Sequence, residues 1–155
     1  MSVLKKLQYK QQKEIVVLNA PPEFNAVLET VGSETAIHTA LEQCQQPELA
    51  LVFVKTKEEI NNIAPALCAK LQDDQLLWFA YPKKSSRKYK STINRDKGWS
   101  VFGQAGFEPV MQVAIDADWS ALRFRKVAFI KTMTRNADFA MSEEGKAKTK
   151  PKDLK

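Results

Sequence analysis

The amino-acid sequence predicts one α/β domain, in which a mostly parallel β-sheet carries helices on both faces and ends in an antiparallel hairpin. Two continuous apolar runs, at residues 49–54 and 76–81, are typical of strands covered on both faces. An amphipathic helical pattern lies between these runs, and two short apolar runs around an Asp-rich turn follow them. Because strands that alternate with helices form βαβ units, these patterns favour parallel pairing for most of the sheet.

The first third of the chain predicts two strands and one helix. Residues 15–18 form a short aliphatic run, which Asn19 and the two prolines that follow shortly after it bring to an end. A helical face comes next, formed by Phe24, Val27, Leu28 and Val31. Gly32 is a suitable residue to end that helix. Residues 35–41 have a weaker pattern, which we interpret as a short edge strand.

The middle of the chain predicts a strand, a capped helix and a second strand. After the run at 49–54, Thr56 and Glu59 have the spacing of a capping box, in which each side chain bonds the other residue's backbone N–H. The apolar face of that helix is formed by Ile60, Ile63, Ala64, Leu67, Cys68 and Leu71. The strand at 76–81 follows, which gives the repeating order of a small Rossmann-like sheet.

The last third predicts one more helix and the hairpin. Trp99, Val101 and Phe102 suggest an apolar helical face, with Trp99 in the core, and the helix opening near residues 94–97. Residues 111–115 and 121–124 are short strands that we expect to pair around the turn at 116–120. Asp116 and Asp118 lie in this turn, where carboxylates usually bond turn amides rather than form an acid–base pair.

The composition is that of a soluble globular protein, with 44% hydrophobic and 27% charged residues. We predict a single domain over residues 1–135 and a disordered Lys-rich tail over residues 136–155, where apolar periodicity is absent. No apolar run approaches the roughly 20 residues that span a bilayer, and the N-terminus lacks the apolar stretch of a secretion signal. These features favour a cytoplasmic protein without a membrane partner and leave the oligomeric state open.

The sequence offers little for metal or catalytic chemistry. Cys44 and Cys68 form no C-x-x-C pair and His38 is the single histidine, so we predict no metal site. We find no G-x-S-x-G, G-x-x-x-x-G-K-[ST] or G-x-G-x-x-G motif, so we predict no catalytic residue and no cofactor. The sequence therefore leans towards a protein that is not an enzyme.

Positive charge is concentrated in residues 83–97, which we call the basic loop. Seven of its fifteen residues are Lys or Arg and one is Asp, which gives this loop a net charge of +6. The whole chain also carries +6, so the rest of the sequence is neutral overall. A cationic loop that directly follows a buried strand is a candidate anion-binding site, although many such loops are merely solvated surface.

Ligands of open α/β sheets bind outside the carboxyl ends of the strands, so the loops at that edge are the predicted site. The candidate ligand-binding residues there are Asn19, Thr56, Tyr81, Lys83, Lys84, Ser85, Ser86, Arg87, Asn94, Arg95, Asp116 and Trp119. Arginines can bind a phosphate or carboxylate through two hydrogen bonds, and lysines act as point charges. The expected partner is a small molecule that bears a phosphate or carboxylate group, and weak nucleic-acid binding is the second expectation.

Four segments resemble a bacterial family known as a domain of unknown function: residues 17–22 (VLNAPP), 77–86 (LWFAYPKKSS), 94–99 (NRDKGW) and 112–124 (QVAIDADWSALRF). The resemblance covers residues 4–125 and implies a small cytoplasmic bacterial protein, without implying an activity. A looser resemblance, in the order of elements alone, is to the second half of class I methyltransferases. The first strand departs from that pattern because Asn-Ala-Pro-Pro replaces a Gly-rich turn, which argues against S-adenosylmethionine binding. Three functions thus remain: an anion-binding module, a degenerate methyltransferase-like enzyme, and a nucleic-acid accessory protein.

Overall fold

The computed structural model describes residues 2–130 of the 155-residue chain. The predicted tail over 136–155 lies outside these residues. Six strands form one sheet: β1 (Glu14–Leu18), β2 (Ala36–His38), β3 (Leu49–Phe53), β4 (Leu76–Pro82), β5 (Phe107–Ala114) and β6 (Trp119–Lys126). Four helices surround it: α1 (Val3–Lys6), α2 (Asn25–Leu28), α3 (Lys57–Lys70) and α4 (Ser100–Gln104).

The strand order is β2-β1-β3-β4-β6-β5. The first four strands pair in parallel, and β6 runs antiparallel to both of its neighbours, β4 and β5. The predicted fold class, a Rossmann-like and mostly parallel sheet with a C-terminal antiparallel hairpin, is therefore confirmed. The hairpin is longer than the sequence indicated, and its register shifts between Pro109 and Met111, where proline has no N–H to donate.

Helices cover both faces of the sheet, and each face has its own hydrophobic core. We call them the α3 face and the α2 face. The α3 face buries, among others, Val16, Val52, Phe79, Trp99, Phe102 and Phe124 under α3 and α4. The α2 face buries Leu7, Ile15, Phe24, Leu51, Phe53, Trp78 and Trp119, with α1 and α2 packed against them. Because side chains alternate along each strand, neighbouring residues such as Trp78 and Phe79 belong to opposite cores.

The sequence predicted helix α3 well and helix α2 poorly. The capping box of α3 is present, with both Thr56 and Glu59 bonding the other residue's backbone. The helix predicted over residues 24–31 is a 3₁₀ turn at Pro22–Phe24 followed by the four-residue α2. Helix α2 ends early because the amides of Thr30 and Val31 bond carbonyls three residues back, which closes tight turns.

Within the part of the chain that the structure describes, no helix has the length and apolar character needed to cross a membrane.

Candidate functional site

The carboxyl ends of the parallel strands bring the predicted site segments together. Because Pro82 of β4 pairs with Trp119 of β6, the turn between β5 and β6 lies beside the start of the basic loop. The backbone N–H of Lys83 donates to the carbonyl of Asp118 at 2.7 Å, and the Ser86 hydroxyl donates to the Asp118 carboxylate at 2.8 Å. The predicted contact between the basic loop and the Asp116 corner therefore exists.

The basic loop is also tied to the end of β3. The hydroxyl of Ser91 and the backbone N–H of Thr92 both donate to the carbonyl of Lys55, at 3.0 and 3.1 Å. Asn19, which follows β1 with a positive φ of 59°, donates its side-chain amide to the carbonyl of Phe53 at 3.4 Å. The loops after β1, β3 and β4 and the β5–β6 turn thus form one continuous surface.

Four aromatic rings line this edge on the α2 face, and we call them the aromatic row: Phe24, Phe53, Trp119 and Tyr89. Each successive pair of ring centroids lies 5.0 Å apart. The first three side chains are buried, and Tyr89, which comes from the basic loop, covers Trp119 from the outside. The row fills the space beside the ends of β1 and β3 with side chains of the protein itself.

A carboxylate holds Tyr89 in this position. The Tyr89 hydroxyl donates to Oε2 of Glu23 at 2.7 Å, and the ammonium group of Lys88 donates to Oε1 at 3.2 Å. The hydrogen bond from Tyr89, with support from Lys88, lowers the pKa of the Glu23 carboxyl from 4.5 to about 2. The ammonium groups of Lys55 and Lys88 lie 4.9 and 5.4 Å from the centre of the Tyr89 ring, which adds cation–π attraction.

Most of the positive charge on the basic loop has no anionic partner in the described part of the chain. Across residues 2–130, Lys88 is the one cation of the basic loop that forms an ion pair. Lys83 is half-buried, and the remaining cations of the loop are exposed: Lys84, Arg87, Lys90, Arg95 and Lys97. Within residues 2–130, the edge of the sheet therefore carries an anchored loop with six positive charges that form no ion pair.

Several predicted ligand-binding residues make contacts within the fold. The Thr56 hydroxyl caps α3, and the Asp116 carboxylate accepts from the backbone N–H groups of Asp118 and Trp119 at 2.8 and 2.9 Å. Tyr81 points to the α3 face, where it is buried with its ring centroid 5.6 Å from that of Trp99. Burial raises the pKa of the Tyr81 hydroxyl. Neither Tyr81 nor the hydroxyl of Thr56 faces the aromatic row.

The helix expected to open near residues 94–97 begins later, at Ser100. Asn94 and Lys97 instead form a tight turn, in which each backbone N–H donates to the other's carbonyl at 3.3 Å. The turn is fixed by the Asn94 side chain, which accepts from the N–H of Asp96, and by the Trp99 indole, which donates to the Asn94 carbonyl at 2.6 Å. Arg95 is therefore an exposed turn residue, and the expected helix N-terminus does not lie beside it.

Glu23 and Tyr89, which help to hold the loop in place, were not among the predicted site residues. Glu23 directly follows the two prolines after β1, a position on the same edge of the sheet, and this was the available signal. Sequence reasoning also missed that the indole N–H of Trp119 is buried without a hydrogen-bond partner in the described part of the chain. A buried donor without an acceptor is uncommon in folded proteins.

No protein-family profile and no curated protein matches the chain. Among solved structures, it is similar to a phospholethanolamine N-methyltransferase 2 from Haemonchus contortus, solved with phosphomonomethylethanolamine and S-adenosylhomocysteine, at 16% identity and a TM-score of 0.50. That alignment covers 80% of this chain and 37% of the methyltransferase. A putative type 11 methyltransferase from Sulfolobus solfataricus has 9% identity and a TM-score of 0.51, with 86% and 92% of the two chains covered. At such low identity, these similarities show that the chain has a Rossmann-like fold.

Proposed function

We propose that this chain is an anion-binding module that holds a small phosphate- or carboxylate-bearing molecule on the basic loop. The observation that carries the proposal is that hydrogen bonds anchor the loop to Lys55 and Asp118, while six of its seven cations are unpaired among the described residues. Fixed positive charge on a surface attracts anions, and an anchored loop loses less conformational entropy on binding than a free one.

Glu23 supports the proposal because a carboxylate already occupies part of the surface. Its two oxygens accept from Tyr89 and Lys88, which is the pattern of donors that a ligand phosphate or carboxylate would use. An external anion that reaches Lys88 has to compete with this internal carboxylate. Because the hydrogen bonds to Asp118 and Lys55 still anchor the loop in Glu23→Gln, we expect this variant to free Lys88 and to bind pyrophosphate more tightly.

A degenerate methyltransferase-like enzyme is the second candidate, and the fold shared with the two solved methyltransferases described above favours it. Fold alone does not determine function. Against this candidate, the turn after β1 contains Ala20 and Pro21 rather than a Gly-rich sequence, and the aromatic row fills the adjacent space. We expect S-adenosylmethionine to leave the melting temperature unchanged. Saturable binding of S-adenosylmethionine in a calorimetric titration would favour the methyltransferase-like enzyme over the anion-binding module.

A nucleic-acid accessory role is the third candidate, and the aromatic side chains of the loop region give it little support. Trp99 is buried, and the Tyr89 ring packs against Trp119. Stacking of bases requires exposed rings. Binding of single-stranded RNA or DNA that weakens steeply with salt would favour this candidate over a small-molecule ligand. The family resemblance and the cytoplasmic location stay predictions under all three.

The decisive experiment compares two double variants that carry the same total charge. Lys84→Glu/Arg87→Glu removes positive charge from the basic loop, and Lys10→Glu/Lys13→Glu removes it from exposed positions before β1. Each substitution changes the charge by −2, so both proteins fall from +6 to +2. Thermal unfolding is measured at low salt with pyrophosphate, inorganic phosphate and a nucleotide mixture.

We expect the wild type and the Lys10/Lys13 variant to gain stability with at least one of these anions. Saturation at 100 times the dissociation constant contributes about 2.7 kcal/mol. The Lys84/Arg87 variant should lose most of this gain. Equal losses in both variants would mean that the anions respond to overall charge, and the absence of any gain in the wild type would contradict the proposal.

A further inference from the structure

A second group of side chains with ligand chemistry lies at the other end of β1, away from the basic loop. One ligand atom each from Glu14, His38 and Cys44 lies within 4.8 Å of the other two. Glu14 is the first residue of β1, whereas the basic loop packs beyond its last residue, Leu18. The group is therefore separate from the proposed anion site, and the two can be tested independently.

The fold explains why these three residues meet. His38 of β2 pairs with Val16 of β1, so its side chain lies on the α3 face, which Glu14 shares because it is two residues from Val16. Cys44 reaches the same place through the 3₁₀ turn at Leu41–Gln43. The Lys70 ammonium at the end of α3 fixes this turn, because it donates to the carbonyls of Leu41 and Cys44 at 2.6 and 2.8 Å.

We propose that Glu14, His38 and Cys44 form a binding site for a divalent transition metal, with Zn²⁺ as the best match. Carboxylate, imidazole and thiolate are the three protein ligand types of zinc, and three of them leave a fourth position for water. A tetrahedral zinc ion holds its ligand atoms about 3.3–3.6 Å apart. Since the present separations are at most 4.8 Å, no pair needs to close by more than about 1.5 Å.

The surroundings suit entry and retention of an ion. The side chains of Glu14 and His38 keep 44% and 20% of their exposure, while Cys44 is fully buried beneath them. A metal can therefore enter from solvent through the outer two ligands and reach the thiol. The hydrogen bond between Glu14 and His38, 3.2 Å long, fixes the imidazole beside the carboxylate. Burial, with the negative charge of Glu14, raises the pKa of the Cys44 thiol, and a bound dication would offset both effects.

This proposal departs from the expectation that the sequence has no metal site. That expectation rested on one histidine and the lack of a C-x-x-C pair. The parallel pairing of β1 with β2 brings together residues that are 24 and 30 positions apart. No spacing rule for zinc motifs covers such a combination.

Cobalt(II) is the probe, because its bond to a thiolate gives a near-ultraviolet charge-transfer band and zinc then displaces it. The chain has two cysteines, Cys44 and Cys68, and both are reduced in a tag-free preparation before titration. We expect the wild type and Cys68→Ala to develop the band at stoichiometric cobalt, and Cys44→Ala to lack it. Zinc at equal concentration should remove the band from the wild type and Cys68→Ala. It should also raise the melting temperature of these two proteins, but not that of Cys44→Ala.

Two partly exposed positions keep the test valid if Cys44→Ala does not fold. His38→Gln and Glu14→Gln should each weaken cobalt binding by about tenfold or more. Glu58→Gln, at an exposed position in the first turn of α3, is the matched control and should bind as the wild type does. A wild type without the thiolate band, or a band that survives in His38→Gln but disappears in Cys68→Ala, would overturn the proposal.

Discussion

The two faces of the sheet are closed by different means. On the α3 face, a helix of 14 residues with a complete capping box lies over the strands. On the α2 face, the cover consists of two helices of four residues each, and at the carboxyl edge it is completed by Tyr89 of the basic loop. A long helix satisfies most of its own backbone hydrogen bonds, whereas the loop is held by a few backbone and side-chain hydrogen bonds to other segments of the chain.

Two tryptophans show the same difference at the level of single residues. Trp99 on the α3 face has its ring within 6.2 Å of four other aromatic rings, and its indole N–H is hydrogen-bonded. Trp119 on the α2 face contacts Phe53 and Tyr89, and its indole N–H has no partner in the described residues. The α3 face thus serves as the scaffold, and the α2 face has the less tightly fixed cover beside the proposed anion site.

The largest expected loss of stability compares the core of the α3 face with the cover of the α2 face. Trp99→Ala should reduce the free energy of unfolding by about 3–5 kcal/mol, because it leaves a cavity among packed rings. Tyr89→Ala should cost less than half as much, because Tyr89 is half-buried. Urea unfolding measures both values. Trypsin under native conditions should cleave Tyr89→Ala within the basic loop faster than the wild type. Equal losses of stability would mean that Tyr89 contributes as much to the core as the buried Trp99.

The second-largest expected loss of stability comes from the capping box of α3, the helix that covers the α3 face. Thr56→Ala should reduce stability by about 1 kcal/mol, because the N–H of Glu59 loses its acceptor. Thr39→Ala, at an exposed position, is the control and should change stability by less than about 0.5 kcal/mol. Anion-induced thermal shifts should be the same in Thr56→Ala and the wild type. A loss of anion binding in Thr56→Ala would mean that Thr56 contacts the bound anion, as the sequence predicted.

The contrast between the faces also separates what the sequence could predict from what it could not. Strands β3 and β4 and helix α3 were predictable because continuous apolar runs and a capping box are local patterns. The cover of the α2 face depends on long-range contacts instead. The Trp78 indole donates to the carbonyl of Leu7 at 2.9 Å, across 71 residues of chain. Helices as short as α1 and α2 have little intrinsic stability, so no local pattern predicts them.

The shared edge of the loops that carry the proposed site was predictable, but the contacts between these loops were not. The rule for carboxyl ends of parallel strands correctly placed Asn19, the basic loop and the Asp116 corner on one edge. Alternation along β4 could have assigned Tyr81 to the face of Phe79, but the sequence does not tell which face carries the site. The pairing of Glu23 with Tyr89 depends on the distance between two loops 66 residues apart, which follows from packing alone.

The smallest expected effect isolates the contact that holds the basic loop. The pKa of Glu23 lies at about 2 in the folded protein, below its ordinary value of 4.5. A carboxyl whose pKa is lowered by folding contributes stability above its unfolded pKa, and this contribution disappears as the pH falls through the folded pKa. The Glu23 side chain is 28% exposed, so the contribution should stay below about 1 kcal/mol.

Glu23→Gln should therefore be less stable than the wild type above about pH 4.5, and the difference should shrink steadily towards about pH 2. Urea unfolding over this range measures the difference, with Glu29→Gln as the control at an exposed position. In the control, the difference from the wild type should not depend on pH in this way. A Glu23→Gln difference that stayed constant from pH 2 to pH 7 would mean that the substitution acts through packing. The basic loop would then be held by the contact of Tyr89 with Trp119 rather than by the carboxylate.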